Sequence, residues 1–528
     1  MATSATMVSS PNLEHDPRQL SFKKLISFPA MLAALLAGGL QVPLRQFWVD
    51  PDVWWHLKVG ATILSTHRWP TTDPYSFTAY GTPWIAYQWL GEVLLAAVEG
   101  KWGVRGLLAL DVAMAGAIVI ALYALLTIRC RNSKAAFATC TVFLPLVYAS
   151  CSLRPQMLAY LFLVLTLIIL ERFRQGHSGT LWLLPPLFLV WVNTHGLFVL
   201  GLLALAVYWA CGLVEIHWGG LESRLWTLSE RVRLELVALL SLIALIMTPY
   251  GPELLLYPLD LAFSQPVMQK NIIEWEPMAF DKIFGQLFLA LILSFLLAQV
   301  TLQPRWRLDE FVLLFAGIIA ACLHVRFVLA FVPFSAPLFA VILSRWFDPY
   351  DPAKDKYALN AALMGLVVAG TIWFFPSRAN LGSIMEEKWP VEAVAYLRQH
   401  PVPQPMYNDY LFGGYLIWQM SDQSKVFIDG RADIYERTGV LTDYLSIGRL
   451  APPTPFLLNA YNLQSCLIKR GEPLSTLLAS SPIWQKVYAD QQSVLFVRKL
   501  PSLASINPRN EAIEVSSKRQ ESSRGPSR

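Results

Sequence analysis

Through most of this chain apolar and polar residues do not alternate; the apolar ones gather in long runs separated by short polar breaks. Runs at 25–47, 106–128, 135–151, 155–171, 181–194, 197–214, 234–249, 284–301, 309–324, 328–344 and 358–375 are each compatible with the ~20 residues that a helix needs to cross a hydrocarbon core. The pattern therefore predicts about eleven transmembrane helices. The stretch "LWLLPPLFLVWVNTHGLFVLGLLALAVYWA" is too long for one helix, and Asn193, His195 and Gly196 mark where it divides. Between the first two runs, 49–104 is long without being hydrophilic. "DVWWHLKVGATILS" and "YQWLGEVLLAAVEGKWG" have the spacing of amphipathic helices lying at a membrane interface, joined by the turn-rich "HRWPTTDPYSFTAYGTPW". After Phe375 the rhythm changes. "VEAVAYLRQH" and "GGYLIWQM" read as helices, and "PMYND" and "SKVFIDGR" read as strands. "SCLIKR", "LSTLLAS", "WQKVYAD" and "SVLFVRK" continue the alternation, so 376–501 is expected to be a small α/β domain. The segment 502–528, rich in Ser, Arg and Glu, is expected to be disordered.

Composition agrees with the pattern. Hydrophobic residues make up 55% and charged residues 15% of the 528, where a soluble chain carries ~25% charged residues. The net charge of +5 is modest, and its basic residues sit between the apolar runs, so it speaks to topology and argues against a nucleic-acid partner. Arg18, Lys23 and Lys24 precede the first run. Arg129, Arg131, Arg172, Arg174, Arg305, Arg307 and Arg345 are among those that fall in alternate loops, which are expected to be cytoplasmic. The first run is too long for a signal peptide and is expected to be retained as a span, preceded by a cytoplasmic segment, 1–24. An odd number of crossings then puts 376–501 and the unusual polar motifs on the extracytoplasmic face of a plasma (inner) membrane. The six cysteines show no CxxC and no metal-ligand spacing. P-loop, HExxH, GxSxG and GxGxxG motifs are absent, which disfavours an ATP-driven pump, a zinc protease and a dinucleotide enzyme.

"WVDPDVWWHLKVG" follows the first run directly. Pro51 disfavours helical geometry at Asp50, so Asp52 stands where a helix beginning at Val53 wants a cap, and Trp54 and Trp55 suit an aromatic belt. A cap needs only one small polar residue, whereas here Asp50, Asp52 and His56 converge beside apolar surroundings. Desolvation raises a carboxylate pKa toward neutrality, where the group can serve as a general base. Arg154 in "SLRPQ" and Arg326 in "HVRF" lie at the ends of apolar runs. An arginine costs ~2.5–3.5 kcal/mol at the centre of a membrane helix, less when it snorkels. Either it snorkels or its guanidinium holds a phosphate bidentately; Lys270 and His195 are weaker candidates for that task. Glu274 and Glu276, in "KNIIEWEPMAF", are either solvated loop residues or, with Trp275 between them, a sugar-binding group. Gln88 and Glu92 lie one turn apart on the second amphipathic helix and can face a common cavity. Asp73, before a proline, reads as a turn residue. In "KVFIDGRADIY" a strand ending at Asp429-Gly430, with Arg431 and Asp433 close by, reads as a turn more readily than as a binding crevice.

Taken together, "DPDVWWHLKVG", "TDPYSF" with "QWLGE", "SLRPQ", "WVNTHG", "TPYG", "IIEW", "HVRF" and "VFIDGRADIY" run across most of the chain. In this arrangement the sequence resembles the GT-C superfamily of polytopic glycosyltransferases, with the nearest likeness to bacterial members related to the dolichyl-phosphate-mannose protein mannosyltransferases and the RgtA/B/C/D-like group. The resemblance implies an α-helical polytopic membrane fold with a C-terminal extracytoplasmic domain. It also implies transfer of a sugar from a polyprenyl-phosphate donor to an acceptor hydroxyl of a lipid, glycan or protein. Asp52 would be the base and Asp50 its partner or a second ligand, with a divalent cation as an open option; the Pro51 that separates the two carboxylates leaves open which is the base. Arg326 and Arg154 would neutralise the phosphate. A flippase for a lipid-linked sugar needs the same cavity without a base, and an envelope assembly scaffold needs only the C-terminal domain.

Overall fold

The computed structural model describes residues 23–39, 50–149 and 151–499. Trp48, Val49, most of the 1–24 segment with Arg18, and the 502–528 tail lie outside the described residues, as does the end of the first expected span.

A helix occupies each place where an apolar run predicts one. Five helices are long and apolar enough to cross a membrane: Trp89–Cys130, Gln156–Arg174, Ile283–Leu302, Val325–Leu343 and Tyr357–Phe374. Phe28–Gly39, Ser133–Ala149, Ser178–Val192 and Phe198–Cys211 are shorter apolar helices. Leu228–Ala244 and Leu308–Leu323 occupy the remaining two places, and both carry carboxylates in their first turn. Local chemistry sets the ends. Thr227 and Glu230 form a capping box, each side chain satisfying the other's backbone N–H, and Pro155 immediately precedes the helix Gln156–Arg174. Val328–Leu343 is the central helix, buried along most of its length against Trp89–Cys130, Ser133–Ala149 and Leu308–Leu323. Ile283–Leu302 and Tyr357–Phe374 instead expose apolar side chains such as Leu297, Val300, Ile372 and Trp373. An apolar surface of that kind is stable against lipid and not against water. The chain is a multi-pass membrane protein.

The helix Gln156–Arg174 runs between two charged clusters. At its end, Arg174 pairs with Asp309 at 3.0 Å, Arg307 with Glu171 at 2.7 Å and Glu310 at 2.9 Å, and Arg129 with Glu310. At its start lies Arg154, about 28 Å away by the helix rise. The amphipathic helix "YQWLGEVLLAAVEGKWG" and the following span form one helix, Trp89–Cys130, broken only at Gly103, whose φ of 64° and ψ of −162° are non-helical.

The C-terminal region holds a four-stranded sheet in the order Met406–Asn408, Ser465–Lys469, Ser493–Arg498, Trp484–Ala489. The first pair is parallel and the other two are antiparallel. The expected strand "SKVFIDGR" does not join it. The Asn408 side chain accepts from Phe427 N at 2.7 Å and donates to Ile428 O at 2.8 Å, which diverts the segment. Val426 pairs instead with the first loop, donating to Tyr75 O at 3.1 Å and accepting from Phe77 N at 3.0 Å.

The aromatic-belt reading of Trp54 is also corrected. Trp54 is fully buried, stacked on Trp418 at 4.7 Å and edge-on to Trp389 and Tyr415. The helix Asp52–Thr66 has one face against Trp89–Cys130 and the other against Tyr410–Met420. One hydrophobic core therefore contains Val53, Leu57 and Ile63 of the loop together with Leu416, Ile428, Leu467 and Phe496 of the C-terminal region.

Candidate functional site

The first turn of Asp52–Thr66 assigns the two aspartates different tasks. Pro51 already has helical φ and ψ, and it is Asp50 Oδ1 that accepts from Asp52 N at 2.9 Å. Asp50 thus does the capping that sequence spacing assigned to Asp52, and the Asp52 carboxylate is free to face inward. It lines a cavity of about 690 Å³ together with Trp55, His56, Gln88, Arg154, His195, Glu274 and Arg326. Asp50 is buried behind it.

Arg154 binds three carboxylates. Nε lies 2.7 Å from Asp50 Oδ2, Nη2 lies 3.3 Å from Asp52 Oδ2, and Nη1 donates to Glu274 Oε1 at 2.7 Å. Asp52 also accepts from Trp55 Nε1 at 3.2 Å. Burial pushes the Asp52 carboxyl up to about 7, opposed by the Arg154 guanidinium and helped by the negative charges of Asp50 and Glu274. The same guanidinium holds Glu274 below its ordinary value against its burial.

His56 sits one turn on. Gly60 allows the helix to cross so close to the next that a Cβ there would lie 2.1 Å from Glu92 O. Across that crossing His56 Nδ1 lies 2.9 Å from Glu92 Oε1, both side chains buried. Burial, with Arg154 and His195 nearby, holds the imidazole well below its ordinary value, so it is neutral. Glu92 stands behind His56 and does not line the cavity. His195 Nδ1 accepts from Leu197 N at 3.1 Å, which leaves Nε2 as its donor.

Arg326 differs from Arg154. Its guanidinium lies over the Trp275 ring at 4.3 Å, a cation–π contact, and it meets no carboxylate among the described residues. His324 Nδ1 lies 2.6 Å from the Trp275 backbone O, and its ring stands edge-on to the Trp275 ring at 5.3 Å. Glu276 is exposed and lies outside the cavity, its backbone carbonyl accepting from Val325 N at 2.9 Å, so the expected Glu274–Glu276 pair is divided. Lys270 does not line the cavity either.

The C-terminal region supplies a wall with Tyr410, Gly430, Arg431 and Asp433. Gly430 has no side chain to spare: a Cβ would lie 1.8 Å from Asp52 Oδ1. Arg431, whose side chain is 1% exposed, pairs with Asp73 Oδ1 at 2.6 Å and with Asp429 Oδ2 at 2.7 Å, over the Trp84 ring. Tyr435 donates to Asp429 as well. Asp73 is a turn residue as expected, accepting from Tyr75 N and Ser76 N, and it also joins the loop to the C-terminal region. Tyr87, Tyr257 and Tyr410 line or border the cavity without having been singled out by sequence; Tyr257 donates to Asp433 Oδ2 at 2.7 Å. Their only signal was aromatic character, which 12% of the chain shares. The carboxylates that could serve a divalent cation, Asp50, Asp52 and Glu274, all turn to Arg154. Among the described residues no three His, Cys, Asp or Glu side chains gather as a cation site.

A bundle of apolar helices with an acidic, arginine-bearing cavity walled by a C-terminal sheet region is a fold shared with two solved proteins. The structure is similar to that of the Archaeoglobus fulgidus oligosaccharyltransferase in its apo form, at 13% identity and a TM-score of 0.50, over 85% of this chain and 70% of that one. It is similar to ArnT from Cupriavidus metallidurans in the apo state, at 14% identity and a TM-score of 0.50, over 91% of this chain and 98% of that one. No family model and no curated protein matches the sequence.

Proposed function

We propose that this protein is a glycosyltransferase that moves a sugar from a polyprenyl-phosphate donor to an acceptor hydroxyl, on the extracytoplasmic face of the membrane. One observation carries the reading: a carboxylate poised near neutrality, Asp52, and an arginine with no ion pair among the described residues, Arg326, line the same cavity. A sugar on a lipid phosphate brings its own leaving group, so the enzyme has to deprotonate the acceptor, align it and stabilise the departing phosphate. Asp52 takes the acceptor proton as the new bond to the anomeric carbon forms and the bond to the phosphate oxygen breaks. Arg326, stacked on Trp275, receives the phosphate charge. Trp55, Trp84 and Tyr87 offer apolar faces to the pyranose ring. Arg154 holds Asp52 and Glu274 in place, and Gln88 and His195 supply hydrogen bonds to sugar or acceptor hydroxyls.

The test is to incubate the purified chain with a panel of polyprenyl-phosphate sugars and measure released polyprenyl phosphate and the new glycoside. Asp52→Asn should lower turnover by ~100- to 10,000-fold, the range for loss of a general base, with the thermal unfolding profile retained. Turnover close to wild type in that variant removes Asp52 from the chemistry. Donor translocated by the wild type with no new glycosidic bond replaces transfer by flipping.

A further inference from the structure

A second cavity, sharing no lining residue with the one at Asp52, lies where the helix Trp89–Cys130 kinks at Gly103 and the helix Arg378–Lys388 crosses it. Its volume is about 1050 Å³ and it opens to the surroundings, at the upper limit of the ~300–1,000 Å³ of a small-molecule site. Among the described residues three cations line it, Lys101, Arg105 and Arg378, and no carboxylate does. The nearest acids in sequence, Glu99, Asp111, Glu386 and Glu387, are not part of its wall. Among the described residues none of the three cations has an ion-pair partner: Lys101 sits over the Trp102 ring at 4.7 Å, and Arg105 over the Phe375 ring at 5.5 Å. Below Arg105 the wall becomes wholly apolar, continuing through Ala109, Leu110 and Ala113 down the spanning part of the same helix.

The position of this groove along the membrane normal identifies its occupant. Gly103 divides the amphipathic part of Trp89–Cys130 from its spanning part, and Phe375 follows the last residue of Tyr357–Phe374. The cations therefore stand at the level of lipid headgroups, and the apolar wall at the level of acyl chains. A cationic rim over a hydrocarbon-lined slot complements an anionic amphiphile, and a free anion would leave the lower slot unfilled. We infer that the groove is a binding site for one anionic phospholipid of the leaflet on the side of the C-terminal domain, its phosphate held by Arg105 and Arg378 with Lys101 alongside. Arg378–Lys388 packs against Trp89–Cys130 and leads into the sheet region, so the bound lipid braces the connection between the membrane helices and that region. The inference is independent of the sugar-transfer reading.

The full-length chain is reconstituted in nanodiscs of equal phosphatidylglycerol and phosphatidylcholine and examined by native mass spectrometry after release. Wild type should retain phosphatidylglycerol over phosphatidylcholine at least tenfold. Arg105→Gln with Arg378→Gln should lower that retention about tenfold, and Lys101→Gln should lower it less. Thermal unfolding in pure phosphatidylcholine, where no anionic lipid is present, should be the same for wild type and variants, which separates loss of the site from loss of the fold. Equal retention of the two lipids by wild type overturns the inference, as does undiminished phosphatidylglycerol retention in the double variant. If the double variant unfolds in pure phosphatidylcholine, the comparison of the two lipids on wild type and on Lys101→Gln decides alone.

Discussion

Adding one methyl group at Gly430 should disable the site from a distance of hundreds of residues in sequence. The backbone there has no positive φ, so alanine is conformationally acceptable, but its Cβ would lie 1.8 Å from Asp52 Oδ1 and 3.0 Å from Trp55 Nε1. Such contacts below 3.0 Å essentially do not occur, so the carboxylate or the segment carrying residue 430 must move by roughly 1.2 Å in a close-packed wall. The carboxylate is tied by Arg154 and Trp55, and moving it breaks those bonds. A displacement of ~1 Å in a reacting group costs on the order of 100-fold in rate, or ~2.7 kcal/mol in barrier. Gly430→Ala should therefore turn over donor about 100-fold more slowly, measured as released polyprenyl phosphate under saturating donor. Gly448→Ala, where a Cβ meets nothing within 4 Å, is the matched control and should behave as wild type. Gly430→Ala with turnover within threefold of wild type would refute the claim that this wall fixes the base.

Other expectations follow from the same geometry. With Asp52 at about 7, its carboxylate is the active form, so the rate should rise roughly tenfold per pH unit below that value and level off above it. Trp55→Phe deletes a hydrogen bond that favours the charged form and should move the midpoint of the pH–rate profile upward; an unchanged midpoint would show that the profile reports another group. Arg326→Gln should weaken donor use by about 10- to 150-fold, as for loss of a hydrogen bond to a charged group at ~1.5–3 kcal/mol, read from kcat/KM with the phosphate-linked donor. Arg431→Met leaves Asp73 and Asp429 buried without their cation and should destabilise the protein by about 3–5 kcal/mol, seen as early thermal unfolding and as proteolysis of the C-terminal region.

Part of this was legible in the sequence because a membrane is an unforgiving solvent. A backbone in hydrocarbon has to be helical, so apolar runs mark helices directly, and Asp52, Arg154 and Arg326 stand out because charge among apolar runs needs a reason. What the one-dimensional pattern hides is which surfaces meet. Trp54 satisfies the composition of an interfacial belt equally well whether it faces lipid or Trp418 and Tyr415. "SKVFIDGR" has strand chemistry, and only the position of Asn408 and the loop at Tyr75 decides that it leaves the sheet. Gly430 carries no side chain to advertise its place under Asp52. The division of Glu274 from Glu276 depends on a single turn of 3-10 helix at Ile273–Trp275.

The core that unites the first loop with the C-terminal region also has a consequence for biosynthesis. Asp52 leaves the ribosome hundreds of residues before Gly430, a delay of roughly 20 to 75 s at ~5–20 residues per second. During that interval Trp54 and its neighbours lack the partners that later enclose them. Nascent chains thus carry an unfinished apolar surface until the C-terminal region has been made, so termination before it yields a species recognisable to chaperones and proteases, and the Asp52 site is assembled only once that region is present.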